Sequence, residues 1–588
     1  MRATKHLLLW TSLGALLLLG WAAYAENFRQ EWRLLQDAYR DRLPPDRRAE
    51  FATQLRQIVV PALNSADRCV TCHLGMSPGD TALPGDKVFG PHPNVSHDPA
   101  QFGCTVCHGG QGRATVKADA HGDVPHWPAP MIPRRHAYAG CGACHTHLAV
   151  PDTASLDRGR ALFERHDCLA CHRMEGRGGT IRPGGAGGME GPDLTAAGGR
   201  GYDRGWHAGH LAQLEKERGG VAGGSAEPVV AGTAGVTPRW QTSFAPIPAG
   251  DLQTIDIYLG SRVGAPGLVE AKALFHSIGC RGCHSIAGIG GDDGPDLTRE
   301  GQRDPGTLGL TQGAGGGGPA GGAVPTGGAR LTGWLADHFR APARVVAGSA
   351  MPEIGLTDEQ IDRLTYYMLS LRRSDYPEAL WPKDRIRAER FGEREFATDG
   401  PTLYGTYCAA CHGRQGEGMR FPGTTAFPAI ANPDFLAIAS DEFLRQTIRR
   451  GRPGRRMPAW GEKEGGLRPD EIDAVIAQVR RIGGGVQARP DPRPARWADG
   501  DKTAGARLYA DACASCHGVN GEGGEGPALH NRVLLEAATD TYLHETIRRG
   551  RRGTSMAAFS DASPARRTLE DQEIEAIVTH IRSWEVKR

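Results

Sequence analysis

The chain has 588 residues, with 69 Lys and Arg against 67 Asp and Glu and a formal charge of +2. That length holds several domains. The even balance, with scattered basic residues and no accompanying binding motif, excludes a nucleic-acid-binding role. Glycine (82) and proline (40) are abundant, which fits small modules whose cores are supplied by something other than regular structure.

In chain order, Arg2, Lys5 and His6 precede an uncharged run from Leu7 to Ala25. This fits an export signal, and Ala23-Tyr24-Ala25 offers a small-x-small cleavage site. The run is also long enough to span a bilayer, with Trp10, Trp21 and Tyr24 near its ends as interfacial aromatics. The expectation is an uncleaved anchor at 1–25 in the cytoplasmic membrane, with everything after it on the extracytoplasmic side. Residues 26–66 predict a helical stalk, because Phe28, Trp32, Leu35, Tyr39, Phe51, Leu55, Ile58 and Val59 fall at helical spacing.

All 14 cysteines belong to C-x-x-C-H motifs. These are Cys69, Cys72 and His73; Cys104, Cys107 and His108; Cys141, Cys144 and His145; Cys168, Cys171 and His172; Cys280, Cys283 and His284; Cys408, Cys411 and His412; and Cys513, Cys516 and His517. Two cysteines about one helical turn apart suit the two vinyl groups of one haem, and the next histidine suits its iron. The pattern marks c-type haem attachment. Zinc ribbons also use C-x-x-C pairs, but histidine is only 22 of 588 residues, and it follows every pair. The cofactor expected is therefore seven covalently attached haem c groups, which need export.

The first three motifs, within 67–150, start 35 and 37 residues apart. Such short segments cannot build three separate cores, so their haems must pack on one another. Extra histidines crowd here (His92, His97, His121, His126, His136 and His147), against two methionines, Met76 and Met131. Bis-His coordination is expected, with His92, His97 and His121 as distal ligands. The other three histidines read as surface or propionate-contacting groups. Which histidine serves which iron stays open. The stretch Phe102-Gly-Cys-Thr-Val-Cys-His-Gly-Gly-Gln-Gly112, with Ala120-His121-Gly122 after it, resembles the triheme N-terminal region of membrane-anchored multihaem cytochromes c of bacterial respiratory chains. That resemblance implies partnership with a cytochrome b-type or quinol-oxidising complex.

The later motif starts stand 112, 128 and 105 residues apart, which are single-domain lengths. The predicted mono-haem domains are 151–262, 263–373, 400–485 and 501–588, with linkers at 374–399 and 486–500. They resemble class I cytochromes c. The resemblance implies a short helix carrying the motif, a loop, a distal methionine and a C-terminal helix crossing the N-terminal one. In 263–373, Gly294-Pro295-Asp296-Leu297 would orient His284 through the proline carbonyl, Met351 would be the distal ligand, and Thr357 would cap a helix with Ile361, Leu364, Tyr367 and Met368 inward. The Gly-rich run 311–329 reads as an insertion. The last two domains look duplicated, with Met457 and Met556 as distal ligands, helices near 469–482 and 569–584, and the repeated basic runs Thr447–Arg452 and Thr546–Arg551. Those runs suit haem propionates or an acidic partner.

Domain 151–262 lacks the methionine. Trp206-His-Ala-Gly-His210 lines up with Trp334-Leu-Ala-Asp-His338 and resembles the W-H-x-x-H stretch of the mono-haem subunit of cbb3-type oxidases, but Glu227, or Thr242 by another count, stands where Met351 stands in the neighbour. Three readings stay open: His207 or His210 as ligand, an open iron, or Met174 or Met189 swinging in. Bis-His haems have lower potentials than Met/His haems. The fold class is therefore mainly α, a haem-packed triheme module followed by four class I domains. The expected role is electron carriage from a membrane-side quinol-oxidising or cytochrome b-type complex to an oxidase or soluble acceptor. A haem enzyme, a peroxidase or nitrogen-oxide reductase at the His172 site, is the alternative.

Overall fold

In the computed structural model, all residues are described except 1, 78, 94, 96, 147–149, 180–190, 201–205, 207, 208, 211–246, 305, 306, 309–326, 373, 374, 422–425, 565 and 586–588. The chain divides into two compact units. One joins Met1–Thr146 with Arg299–Val346 and Met368–Ile386; the other joins His147–Thr298 with Ala347–Tyr367 and Arg387–Arg588. Residues 263–373 thus contribute to both. Most regular structure is helical, and the described strands form three two-stranded antiparallel pairs.

The first unit begins with the helix Arg2–Phe28. Its apolar stretch Thr4–Phe28 has a mean hydropathy of 1.7, and none of it is buried against protein. By length and composition it can cross a bilayer. The helix Glu31–Arg42 buries Trp32, Gln36 and Tyr39. Tyr39 packs between Phe51 and Phe89, with ring centroids 5.3 Å away on each side. The buried Gln36 amide donates to the Gln54 and Thr71 carbonyls at 2.8 and 2.9 Å and accepts from the Gln54 N–H at 2.9 Å.

The expected stalk stops there. Residues 51–57 are not helical, and Ile58–Val60 pairs with Ser65–Asp67 as an antiparallel ladder. β-Branched Ile58, Val59 and Val60 favour a strand, and Pro61 with left-handed Asn64 turns the chain. Phe28, Leu55 and Val59 are exposed.

In the second unit the segments 151–262, 400–485 and 501–588 are each built on a crossing of two helices. An aspartate side chain caps each first helix: Asp152 before Thr153–Arg165, Asp399 before Gly400–Tyr407 and Asp501 before Lys502–Ala512. Such caps satisfy N–H groups that have no helical partner. The second helices are Ala249–Gly260, Pro469–Ile482 and Asp571–Arg582. Glycine lets the backbones meet. A Cβ on Gly159 would lie 2.5 Å from the Thr254 carbonyl oxygen, one on Gly400 2.5 Å from that of Ala474, and one on Gly505 1.9 Å from that of Ala576. The helix Asp358–Ser370 opens with the reciprocal bonds of a capping box between Thr357 and Gln360, and Ile361, Leu364, Tyr367 and Met368 are buried.

The last two segments share one core and repeat each other's contacts. The Tyr404 hydroxyl donates to the Gly413 carbonyl at 2.7 Å and Tyr509 to that of Gly518 at 2.8 Å. Asn432 donates to the Arg552 carbonyl and Asn531 to that of Pro453, a reciprocal pair expected of two like surfaces facing each other. Phe443 and Tyr542 stack at 4.4 Å between them.

Neither expected linker is free. Residues 374–399 contain the helix Lys383–Phe391 and bury Phe396. In 486–500, Asp540 accepts from the Trp497 and Ala498 N–H groups at 2.5 and 2.8 Å. The Pro/Arg-rich stretch 486–500 and the stretch 374–399 thus have tryptophan, phenylalanine and backbone groups with partners of their own. Most of the Gly-rich run 311–329 lies outside the described residues.

The crossing glycines give a test. Gly505→Val forces a side chain into the Ala576 carbonyl and is expected to cost about 1–3 kcal/mol, seen as an earlier melting transition in circular dichroism. Gly250→Ala, with nothing within 4 Å, should leave the melting curve in place.

Candidate functional site: seven Cys-x-x-Cys-His turns and their opposing side chains

All seven motifs adopt the same turn. The histidine N–H bonds the carbonyl of the first cysteine, at 2.8 Å for His73, 2.9 Å for His145 and His412, and 3.0 Å for His108, His172, His284 and His517. The 14 cysteines are half-buried, so each turn offers two thiols and one imidazole together.

Four of these histidines face a second imidazole. Ring centroids lie 6.4 Å apart for His73 and His121, 6.0 Å for His108 and His92, 6.3 Å for His145 and His97, and 6.3 Å for His172 and His210. A metal–imidazole bond of about 2 Å on each side, plus about 1 Å from each nitrogen to its ring centre, sets such centroids about 6 Å apart. The structure thus brings together each distal histidine expected in the N-terminal region with a motif histidine. It also pairs His172 with His210, which stacks on Trp206 at 5.2 Å. Met174 is buried with its sulfur taking the Tyr258 hydroxyl at 3.3 Å, as a core side chain. His147, Met189, His207, Glu227 and Thr242 lie outside the described residues. His126 is exposed beside Asp304. His136 is buried, contrary to the surface reading, because it sits in the tightly packed segment Arg134–Ala143 with Ala139, Gly140 and Ala143.

From His172 onward the motif ring is fixed from behind. His172 Nδ1 lies 2.9 Å from the Pro192 carbonyl oxygen, His284 2.9 Å from that of Pro295, His412 2.9 Å from that of Pro428 and His517 2.8 Å from that of Pro527. Such a bond sets the tautomer and aims Nε2 outward. The adjoining glycine allows this approach: a Cβ on Gly191, Gly294 or Gly526 would come within 2.5, 2.5 and 2.8 Å of the imidazole Cε1. Burial holds the imidazoles of His73, His108, His121, His145, His284, His412 and His517 below their ordinary value. A neutral ring is the form that binds metal.

Met457 and Met556 sit in matching loops. The Arg452 N–H donates to the Met457 carbonyl at 2.8 Å, and the Arg551 N–H to that of Met556 at 2.7 Å. Met351 is half-buried before Pro352. The two loop arginines carry buried guanidinium nitrogens without a protein partner, Nη1 of Arg452 and Nε of Arg551. Burial lowers Arg452 to about 10. A paired turn of thiols, imidazoles at iron-spanning separation and unsatisfied buried guanidinium groups fit haem c with its propionates. The basic runs pointed to these arginines in sequence. The ring-facing role of Gly294 and its counterparts was not legible there, although Gly-Pro after the motif is its signal.

Asp67 locks the first two motifs together. Its buried carboxylate accepts from the N–H groups of Cys104 and Thr105 at 2.5 and 2.8 Å and from the Thr105 hydroxyl at 2.8 Å. Gly140 meets the Cys107 backbone so closely that a Cβ would lie 1.7 Å from its carbonyl oxygen.

Comparison with known proteins agrees with this geometry. Residues 268–372 match the cytochrome c family, and 395–478 and 500–581 each match subunit III of cbb3-type cytochrome c oxidase. The chain is a multihaem c-type cytochrome. The double match follows the duplication seen in its C-terminal half.

Over 168 residues the cytochrome is 35% identical to the cbb3-type cytochrome c oxidase subunit FixP of Bradyrhizobium sp. (strain ORS 278), covering 27% of this chain and 53% of that one. Over 196 residues it is 31% identical to subunit CcoP of Rhodobacter capsulatus, covering 31% and 61%. It is 23% identical over 218 residues to the cytochrome bc1 complex cytochrome c subunit of Corynebacterium diphtheriae, covering 35% and 72%. The match therefore spans little more than half of the two oxidase subunits.

Substituting Gly294 by valine places methyl groups against the His284 ring. The expected result is an altered low-spin electron paramagnetic resonance signal at unchanged haem content; unchanged g values would show that the glycine does not orient the ring.

Proposed function

We propose that this cytochrome is an anchored seven-haem conduit. It would take electrons from a membrane-side quinol-oxidising or cytochrome b-type complex and pass them to an oxidase or soluble acceptor. The Arg2–Phe28 helix holds it to the membrane, with the haem-bearing part on the extracytoplasmic side. The seven cysteine pairs attach the haems: three in a triheme module at 67–150, and one in each of 151–262, 263–373, 400–485 and 501–588.

The observation that carries the reading is the set of four opposed imidazole pairs. In this assignment His121 completes the site of His73, His92 that of His108, His97 that of His145 and His210 that of His172. Met351, Met457 and Met556 complete the sites of His284, His412 and His517. Bound haem supplies a one-electron iron couple, lower for bis-His and higher for Met/His ligation, with burial and hydrogen bonding also contributing. The chain thus orders its sites from low potential beside the anchor to high potential at the C-terminal end.

A haem enzyme needs an open iron and acid/base groups in a pocket. The approach of His210 to His172 supports a filled site at the one haem where an open iron was among the readings. The names of the oxidase and bc1 relatives support respiratory complexes as partners on the two sides.

Two measurements test this. Spectroelectrochemical titration of the full-length holoprotein should resolve four components at lower potential and three at higher; three His/Met haems lying lowest would reverse the direction. The reduced wild type should bind no carbon monoxide, while His210→Ala should bind one equivalent per chain and turn high-spin. Stoichiometric binding by the wild type would restore the enzyme reading.

A further inference from the structure

The two attachment turns at Cys280 and Cys408 belong to separately matched domains, yet they abut. Small residues allow this. A Cβ on Gly279 would lie 3.0 Å from Ala410 Cβ and 3.1 Å from the Gly405 carbonyl oxygen, and one on Gly282 3.1 Å from the Tyr407 carbonyl oxygen and 3.5 Å from Ala410 Cβ.

The contact is pinned from three sides. Lys272 and Arg281, both buried, hold the two oxygens of Glu395 at 2.8 and 2.7 Å. Arg281 also donates to the Ile289 carbonyl at 3.0 Å. Arg456 binds Asp293 at the rim, and the Gly290 N–H donates to the Gly465 carbonyl at 3.3 Å. Breaking one partner of a buried ion pair is costly, so the two turns form a fixed interface and not a transient docking.

We propose that Gly279, Gly282 and Ala410 are positioning residues that join the 280–284 and 408–412 attachment turns into one contact pair, so that the haems they carry are held close enough to exchange electrons directly. The proposal rests on haem attachment at both turns. One electron passes from one iron to the other, so no proton or further reactant is needed. The same small residues explain why a fused chain places these two domains together: a soluble carrier would have to find the site by diffusion, whereas here the spacing is set by side-chain size.

The test uses full-length holoprotein, with haem content read by the pyridine haemochrome assay. Reduced wild type should show a bisignate Soret circular dichroism component from the pair. Gly282→Val and Ala410→Leu should shrink that component with seven haems still attached, while Gly282→Ala, the smallest wedge, should shrink it less. Identical Soret dichroism in wild type and in every variant that retains seven haems would overturn the proposal. A wild type with fewer than seven haems lacking either turn's group would instead overturn the attachment reading beneath it.

Discussion

The constraint on which the N-terminal half depends is the distance between two imidazoles. Four pairs of rings sit at 6.0–6.4 Å, too far for contact between the rings and suited to a metal atom between them. The chain must therefore hold side chains from distant segments on opposite faces of one narrow gap. His92 and His97 stand five positions apart in one loop, yet they face different motif histidines. The structure holds that loop against the motifs with few regular elements: a short ladder at 58–60 and 65–67, the Asp67 carboxylate, and close backbone approaches at glycines such as Gly140. The described apolar cluster of this half is small, Tyr39, Leu43, Leu74 and Phe89, and the buried Nδ1 atoms of His73 and His145 have no protein partner.

The C-terminal half solves the same problem by repetition. A capped helix, a motif turn, a proline carbonyl behind the imidazole and a second helix crossing at a glycine recur in 151–262, 400–485 and 501–588. The recurrence reaches details that only packing shows, such as the tyrosine hydroxyl bonded to the glycine carbonyl after the motif and the reciprocal asparagine bonds between the last two segments. Duplication followed by face-to-face docking buries the stacked Phe443 and Tyr542 and leaves the attachment turn at Cys408 to meet that at Cys280.

Much of this was legible in the residues. The helix ends near 469–482 and at 358–370 follow from capping signals and periodicity, and the proline behind His284 follows from its motif. The second half of the stalk was not, because helical spacing over 51–59 competes with a β-branched run before Pro61, and pairing with 65–67 decides between them. The contacts made by 486–500 were not legible either, because its proline and arginine content describes a chain in water, not one whose tryptophan and backbone groups have found partners.

The sequence by itself determined the chemistry: seven turns of two thiols and an imidazole, written in local spacing that a single helical turn converts directly into geometry. It also determined the supply of second histidines and methionines, since composition is independent of fold. The tertiary structure alone decided which histidine faces which, that His210 rather than a core-buried Met174 stands opposite His172, and that the 280–284 turn meets the 408–412 turn. These are long-range juxtapositions, fixed by glycine-sized gaps and buried ion pairs between segments far apart in the chain, and no local pattern encodes them.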